Sequence, residues 1–143
     1  MKRRYLTAGF SVLELTVVVT ILSVLMALSY SHWRGHTAEQ RLRYGTIQVA
    51  TDLREGQERA KYERRQYTVT FTASFSTYTI ARAGGGFVEN ASLPAGVTVA
   101  ADDVVTFSAF GQPDAPHVIT LQNSRGAGTA SVNATGGITY QAP

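Results

Sequence analysis

The 143-residue chain contains no cysteine. That excludes a disulfide-stapled domain, cysteine metal sites and thiol catalysis. Proline is absent from the first 90 residues, with Pro94, Pro113, Pro116 and Pro143 all beyond, so nothing forces a helix break before Arg65. Only three histidines occur, too scattered for a Ser-His-Asp arrangement. From Phe10 to Tyr30 there is no Pro, Gly, Lys or Arg, and Glu14 carries the sole charge.

That last absence defines the N-terminal third. About 20 apolar residues suffice to cross the hydrocarbon of a bilayer, and residues 10–30 form such a run after the basic leader Lys2, Arg3, Arg4. The run ends in Ser29-Tyr30-Ser31-His32-Trp33, polar and aromatic like a membrane interface and unlike a small-residue signal-peptidase site. The leading bases orient the N-terminus to the cytoplasm and the bulk of the chain outside. A carboxylate near mid-membrane costs about 2.5–3.5 kcal/mol or more, so Glu14 calls for a partner.

Charge is a second guide. The chain has 13 Lys+Arg against 10 Asp+Glu, three of the bases lying in residues 1–9, so residues 10–143 balance at ten of each. The basic pI is therefore weak evidence for nucleic-acid binding. Residues 66–143 are low in charge and rich in Ala, Gly, Thr and Ser, which suits a secreted β domain rather than an enzyme.

The spacing predicts a helix running on through residues 31–65. Thr46, Val49, Ala50, Leu53, Gly56 and Ala60 recur at helical intervals as a thin stripe of small residues, suited to close approach of a sheet. Glu39–Arg43, Glu55–Arg59 and Arg59–Glu63 stand at i,i+4 for surface ion pairs. Gly35, Gly45 and Gly56 are candidate bends, since each weakens a helix by up to about 1 kcal/mol relative to Ala. From Phe10 to Arg65 such a helix measures ~84 Å at ~1.5 Å per residue.

After Arg65 the period becomes two. Tyr67–Phe71 and Tyr78–Ile80 flank Ala73-Ser74 as a hairpin, Gly84–Gly86 is a loop, and Leu93–Gly96 turns into Val97–Val99. Further strands are expected at Val104–Phe107, His117–Leu121, Thr129–Val132 and Ile138–Tyr140. The fold class is α+β: a long N-terminal helix, transmembrane in its first half, against an antiparallel β-sheet or β-sandwich-like head. About 75 residues make a small core, so the head must lean on the helix for a second layer.

Ala8-Gly9-Phe10-Ser11-Val12-Leu13-Glu14-Leu15 resembles the class III signal of type IV pilins and type II secretion pseudopilins. The resemblance implies cleavage by a prepilin peptidase between Gly9 and Phe10, methylation of Phe10, and retention of the apolar segment as anchor and filament core. It gives Glu14 its partner, the N-terminal amine of a neighbouring subunit, and hence a role in assembly. Four segments follow: leader 1–9, transmembrane and filament-core helix 10–30, amphipathic extension 31–65 and β head 66–143. The expected location is the inner membrane, single-pass with the head periplasmic, then the filament. Expected partners are the peptidase, other subunits and the inner-membrane assembly platform. No cofactor or enzymatic activity is expected.

Leu53-Arg54, Ala60, the strand Tyr67–Phe71, Thr106-Phe107 with Gly111, and Gly136-Gly137-Ile138 more loosely resemble the GspH/FimT-type minor pseudopilins, small subunits at or near a filament tip. Some relatives bind DNA through bases near the last strand. Here Gly137 stands where Arg is common and no base follows Arg125. A DNA- or substrate-binding tip subunit is thus the alternative reading. His32 and His36 at i,i+4, and Asp102-Asp103 with Asp114, are candidate metal ligands. The first pair has no third ligand beyond Glu39 or Gln40, and the aspartates lack regular spacing, so no metal is assigned.

Overall fold

In the computed structural model, residues 11–142 are described, with side chains described throughout except at 28–34. Helix α1 spans Val12–Glu63. Ser11 starts it as an N-cap, its Oγ accepting the Leu13 N–H at 3.3 Å. The far end closes at Glu63, two residues before the predicted limit. Arg64 takes φ 53°, and Arg65 N–H donates to the Ala60 carbonyl at 3.2 Å, the six-to-one bond of a left-handed helix stop. The chain divides into two compact units, residues 1–35 and 36–143.

Eight strands follow in the second unit: β1 Tyr67–Phe71, β2 Thr77–Arg82, β3 Val88–Ser92, β4 Thr98–Val99, β5 Asp103–Phe107, β6 His117–Asn123, β7 Gly126–Val132 and β8 Ile138–Gln141. They form two four-stranded sheets, ordered β3-β2-β1-β5 and β4-β6-β7-β8. The β1–β2 hairpin pairs Val69 with Ile80, and β6–β7 pairs Ile119 with Ala130, all antiparallel.

Alternation decides what each sheet buries. Tyr67, Val69, Phe71, Tyr78, Ile80, Val105 and Phe107 of the first sheet enter one cluster with Val99, Ile119, Leu121, Ala130, Val132 and Ile138 of the second. Leu42, Val49, Ala50, Leu53 and Ala60 of α1 join it, with Leu93 and Val97 from the turn between β3 and β4. Burying each large apolar side chain contributes about 1.5–3 kcal/mol relative to leaving it exposed. The helix stripe is therefore the layer that the small β head needs.

Gly45 and Gly56 lie inside the uninterrupted helix as contact points with the head. A Cβ on Gly45 would sit 3.3 Å from Pro94 Cδ and 3.5 Å from Val97 Cγ1.

The expected ion pairs are partly rearranged. Arg59 pairs with Glu55 at 2.6 Å and lies 4.5 Å over the Phe87 ring, so it does not reach Glu63. Glu63 instead pairs with Arg82 of β2 at 3.0 Å, bracing the helix end against the sheet. Glu39–Arg43 is not among the ion pairs of the described residues.

Candidate assembly site

Gly9 and Phe10 lie outside the described residues. Glu14 is described: it occupies the first turn of α1 and is exposed. Ser11 and Glu14 hold the spacing of a capping box, and a carboxylate there also faces the positive end of the helix dipole. Around it the helix is apolar on every side. Val12, Leu13, Leu15, Val17, Val18, Val19, Ile21, Leu22, Val24, Leu25 and Met26 are all at least 45% exposed.

The intervening hydroxyls make no outward demand. Thr16 donates to Leu13 O at 2.8 Å, Thr20 to Thr16 O at 2.7 Å and Ser23 to Val19 O at 2.8 Å. Such back-bonding lets Ser and Thr sit in an apolar surrounding. Between residues 11 and 27 this leaves Glu14 as the one side chain with an unmet charge. Among the described residues, no helix is long and apolar enough to cross a membrane. The described side chains of residues 11–27 fall short of ~30 Å at ~1.5 Å per residue, and the expected run 10–30 extends outside them at both ends.

The second unit is tied together by polar side chains that sequence reasoning missed. Gln57, 9% exposed, donates from Nε2 to Gly111 O at 2.8 Å and Gly136 O at 2.9 Å. One helix side chain thus latches the loops before β6 and β8. Arg54 donates to Ile138 O at 2.8 Å and Asn123 to Ala38 O at 2.7 Å. Tyr78 donates its hydroxyl to Asp52, and Gln48 bridges Tyr78 Oη at 3.3 Å and Ser92 O at 3.1 Å. Burial raises the Asp52 carboxyl above its ordinary range against the Tyr78 bond. Gln57 was detectable as a polar residue on the apolar stripe, four positions after Leu53.

The described candidate metal ligands have other occupations. Asp102 Oδ1 accepts the Ala73 N–H at 2.6 Å. His117 stands between Asp103 Oδ1 at 2.8 Å and Asp114 Oδ1 at 3.2 Å, and Asp114 also accepts Thr106 N–H at 2.9 Å. These bonds stitch β6 to β5. Burial opposes charge on Asp114, but the N–H groups of Thr106 and of Asp114 itself, with His117, outweigh it and hold the carboxyl low. His36 Nε2 meets Gln40 Nε2 at 3.0 Å; the side chain of His32 lies outside the described set. Among the described residues, no three His, Cys, Asp or Glu are placed to hold a metal.

The terminal strand β8 carries no cation: it reads Ile138-Thr139-Tyr140-Gln141. At Gly137 an added Cβ would meet Asn133 Nδ2 at 2.7 Å, while Gly137 N–H donates to Asn133 Oδ1 at 2.7 Å. The turn into β8 is thus built around the missing side chain.

A long N-terminal helix packed on antiparallel β-strands with a shared core is the fold of the type IV pilins. A solved structure with that fold is the type IV minor pilin FimU of Pseudomonas aeruginosa (strain PAO1), at TM-score 0.57 and 16% identity, covering 76% of this chain and 92% of that one. No protein-family model matches the chain, and no curated protein matches it.

Proposed function

We propose that this chain is a minor pilin or pseudopilin: a structural subunit, processed after Gly9, methylated on Phe10, and assembled through its apolar helix into a type IV pilus or type II secretion pseudopilus. On this reading the precursor sits in the inner membrane with its head outside. Prepilin peptidase, other subunits and the inner-membrane assembly platform handle it in turn. The observation that carries the proposal is the first half of α1. Its apolar side chains are exposed all round, its hydroxyls are self-satisfied, and Glu14 alone is left without a counter-charge.

Two apolar helices side by side remove such a surface from lipid and water alike. A neighbour's N-terminal ammonium beside Glu14 offsets the desolvation of both charges. Because the pair forms at one depth only, it also sets axial register between subunits. The pilin-like head, with its core closed against α1, fits the same role.

Replacing Gly9 by Val tests this reading in cells that carry the peptidase. The expected outcome is uncleaved precursor that stays in the membrane fraction and never enters sheared filaments. A chain that behaves as the unaltered protein does would show a mere anchored domain.

A further inference from the structure

One end of the second unit carries cations without carboxylates to match. The chain enters that unit at His36, and the first turns of helix there expose Arg41 and Arg43. Glu39 is the one acid between residues 36 and 51. The next, Asp52, stands fourteen residues past Ala38, or ~21 Å along the helix at ~1.5 Å per residue. Among the described residues Glu39, Arg41 and Arg43 form no ion pair.

The second sheet brings a third cation to the same end. Asn123 pairs with Gly126 across β6 and β7, leaving Ser124-Arg125 as a two-residue hairpin loop. Asn123 Oδ1 accepts the Arg125 N–H at 2.9 Å and the Gly126 N–H at 3.3 Å, while its Nδ2 donates to Ala38 O at 2.7 Å. The loop is thus fastened to the helix two residues past His36, with Arg125 exposed and outside the ion pairs of the described residues. Elsewhere a surface of mixed sign suffices: Arg59, Lys61 and Arg82 each meet a carboxylate. It does not account for three unmatched arginines gathered at one end.

We infer that this end of the head docks on the anionic headgroups of the bilayer that anchors the chain, with Arg41, Arg43 and Arg125 taking lipid phosphates. The inference rests on the anchored-subunit reading above. On that reading the apolar run ends at Tyr30, eight residues before Ala38, or ~12 Å at ~1.5 Å per residue. Headgroups occupy ~5–8 Å outside the hydrocarbon, so the remaining gap is shorter than a Debye length of ~8 Å. An arginine fork can take two phosphate oxygens at once. The anchor holds lipid beside the loop at high effective concentration, so contacts too weak to capture a free anion suffice. A nucleic acid or an acidic protein in solution has no such advantage. Docking fixes the tilt of the head while the subunit waits in the membrane, and entry into a filament, which withdraws the anchor from lipid, breaks it.

The chain has no native cysteine, so Ser124→Cys takes a single donor dye. The full chain is reconstituted in vesicles with acceptor-labelled headgroups, made of phosphatidylcholine alone or mixed with phosphatidylglycerol. Energy transfer should be greater in the anionic vesicles, and high salt should remove the difference. Arg125→Gln should lower the ratio of docked to free heads about fivefold, the worth of one charge near such a surface. Arg125→Lys should keep most of it, and adding Arg41→Gln and Arg43→Gln should deepen the loss. Each variant must melt as the parent does, which the exposure of these side chains favours. A chain that survives an alkaline wash, yet whose transfer ignores lipid charge or the three arginines, overturns the inference and leaves the anchored reading standing. A chain that the wash strips from the vesicles overturns both.

Discussion

The Thr46 hydroxyl occupies the space that a side chain on Gly128 would need: a Cβ there would stand 2.5 Å from Thr46 Oγ1. Thr46 is fully buried and donates to Leu42 O at 2.9 Å, so it has little freedom to yield. The helix side chain thus rests directly on the backbone of the second sheet. Gly128→Ala should therefore destabilise the head by about 1–3 kcal/mol, the usual cost of overpacking. Urea unfolding of residues 36–143, which hold the entire buried cluster, measures it. Adding Thr46→Ala should restore part of the loss, because the two substitutions share one contact. Strict additivity would show that the strain lies elsewhere.

Gln57 holds two carbonyls with one amide. Gln57→Ala leaves Gly111 O and Gly136 O without that donor and should cost about 1–3 kcal/mol. Hydrogen exchange should quicken in residues 108–114 and 133–138 ahead of the sheets. Gln57→Glu should be worse still at neutral pH, where a carboxylate would face two carbonyl oxygens, and should recover on acidification. Equal loss of protection across both sheets would argue against a loop latch.

Two carboxyls are held low in the fold: Glu63 by the hydrogen bond from Arg82 foremost, and Asp114 by its N–H donors and His117 against burial. A lowered native value adds stability that is present above the ordinary carboxylate range and lost as pH falls through the native values. Asp114→Asn and Glu63→Gln should each flatten the acid limb of the urea midpoint plotted against pH. Asp52 runs the other way. Burial raises it, so its penalty is absent in acid and appears as pH rises through the raised value. Asp52→Asn, which can still accept from Tyr78, should cost less than Asp52→Ala at neutral pH. The reverse order would mean that the charge itself is needed.

Glu14 allows its two possible duties to be separated. Glutamine completes a capping box as well as glutamate does, but it cannot neutralise an ammonium. Glu14→Gln should thus keep helicity and membrane association while impairing assembly nearly as much as Glu14→Ala. Since the chain has no native cysteine, a single introduced Leu13→Cys gives an unambiguous crosslink between neighbouring helices in wild-type background and should lose it in Glu14→Gln. Undiminished crosslinking and filament entry would reduce Glu14 to a helix cap.

Where burial follows a period, the residues announced the fold. Thr46, Val49, Ala50, Leu53, Gly56 and Ala60 are all buried, as their helical spacing implied. The strands with one face inward, such as Tyr67–Phe71, were legible from alternation. Strand β3 was not: Val88–Ser92 pairs with β2 at a sheet edge, and most of it is exposed on both faces, so no alternation was imposed on it. Glu63 was misassigned to Arg59 because local spacing says nothing of Arg82, nineteen residues on across a tertiary contact. His117 between Asp103 and Asp114 escaped for the same reason. The signals at Gly9 and Phe10 remain sequence readings, and Glu14 is the member of that set whose surroundings are described.

Intact-mass and N-terminal analysis of the chain, expressed with a prepilin peptidase and recovered from membranes, tests the central claim most directly. The account predicts a protein beginning at Phe10, lacking residues 1–9 and carrying one methyl group on its terminal amine. A protein that still begins at Met1, in cells where a known pilin is cut, would contradict it.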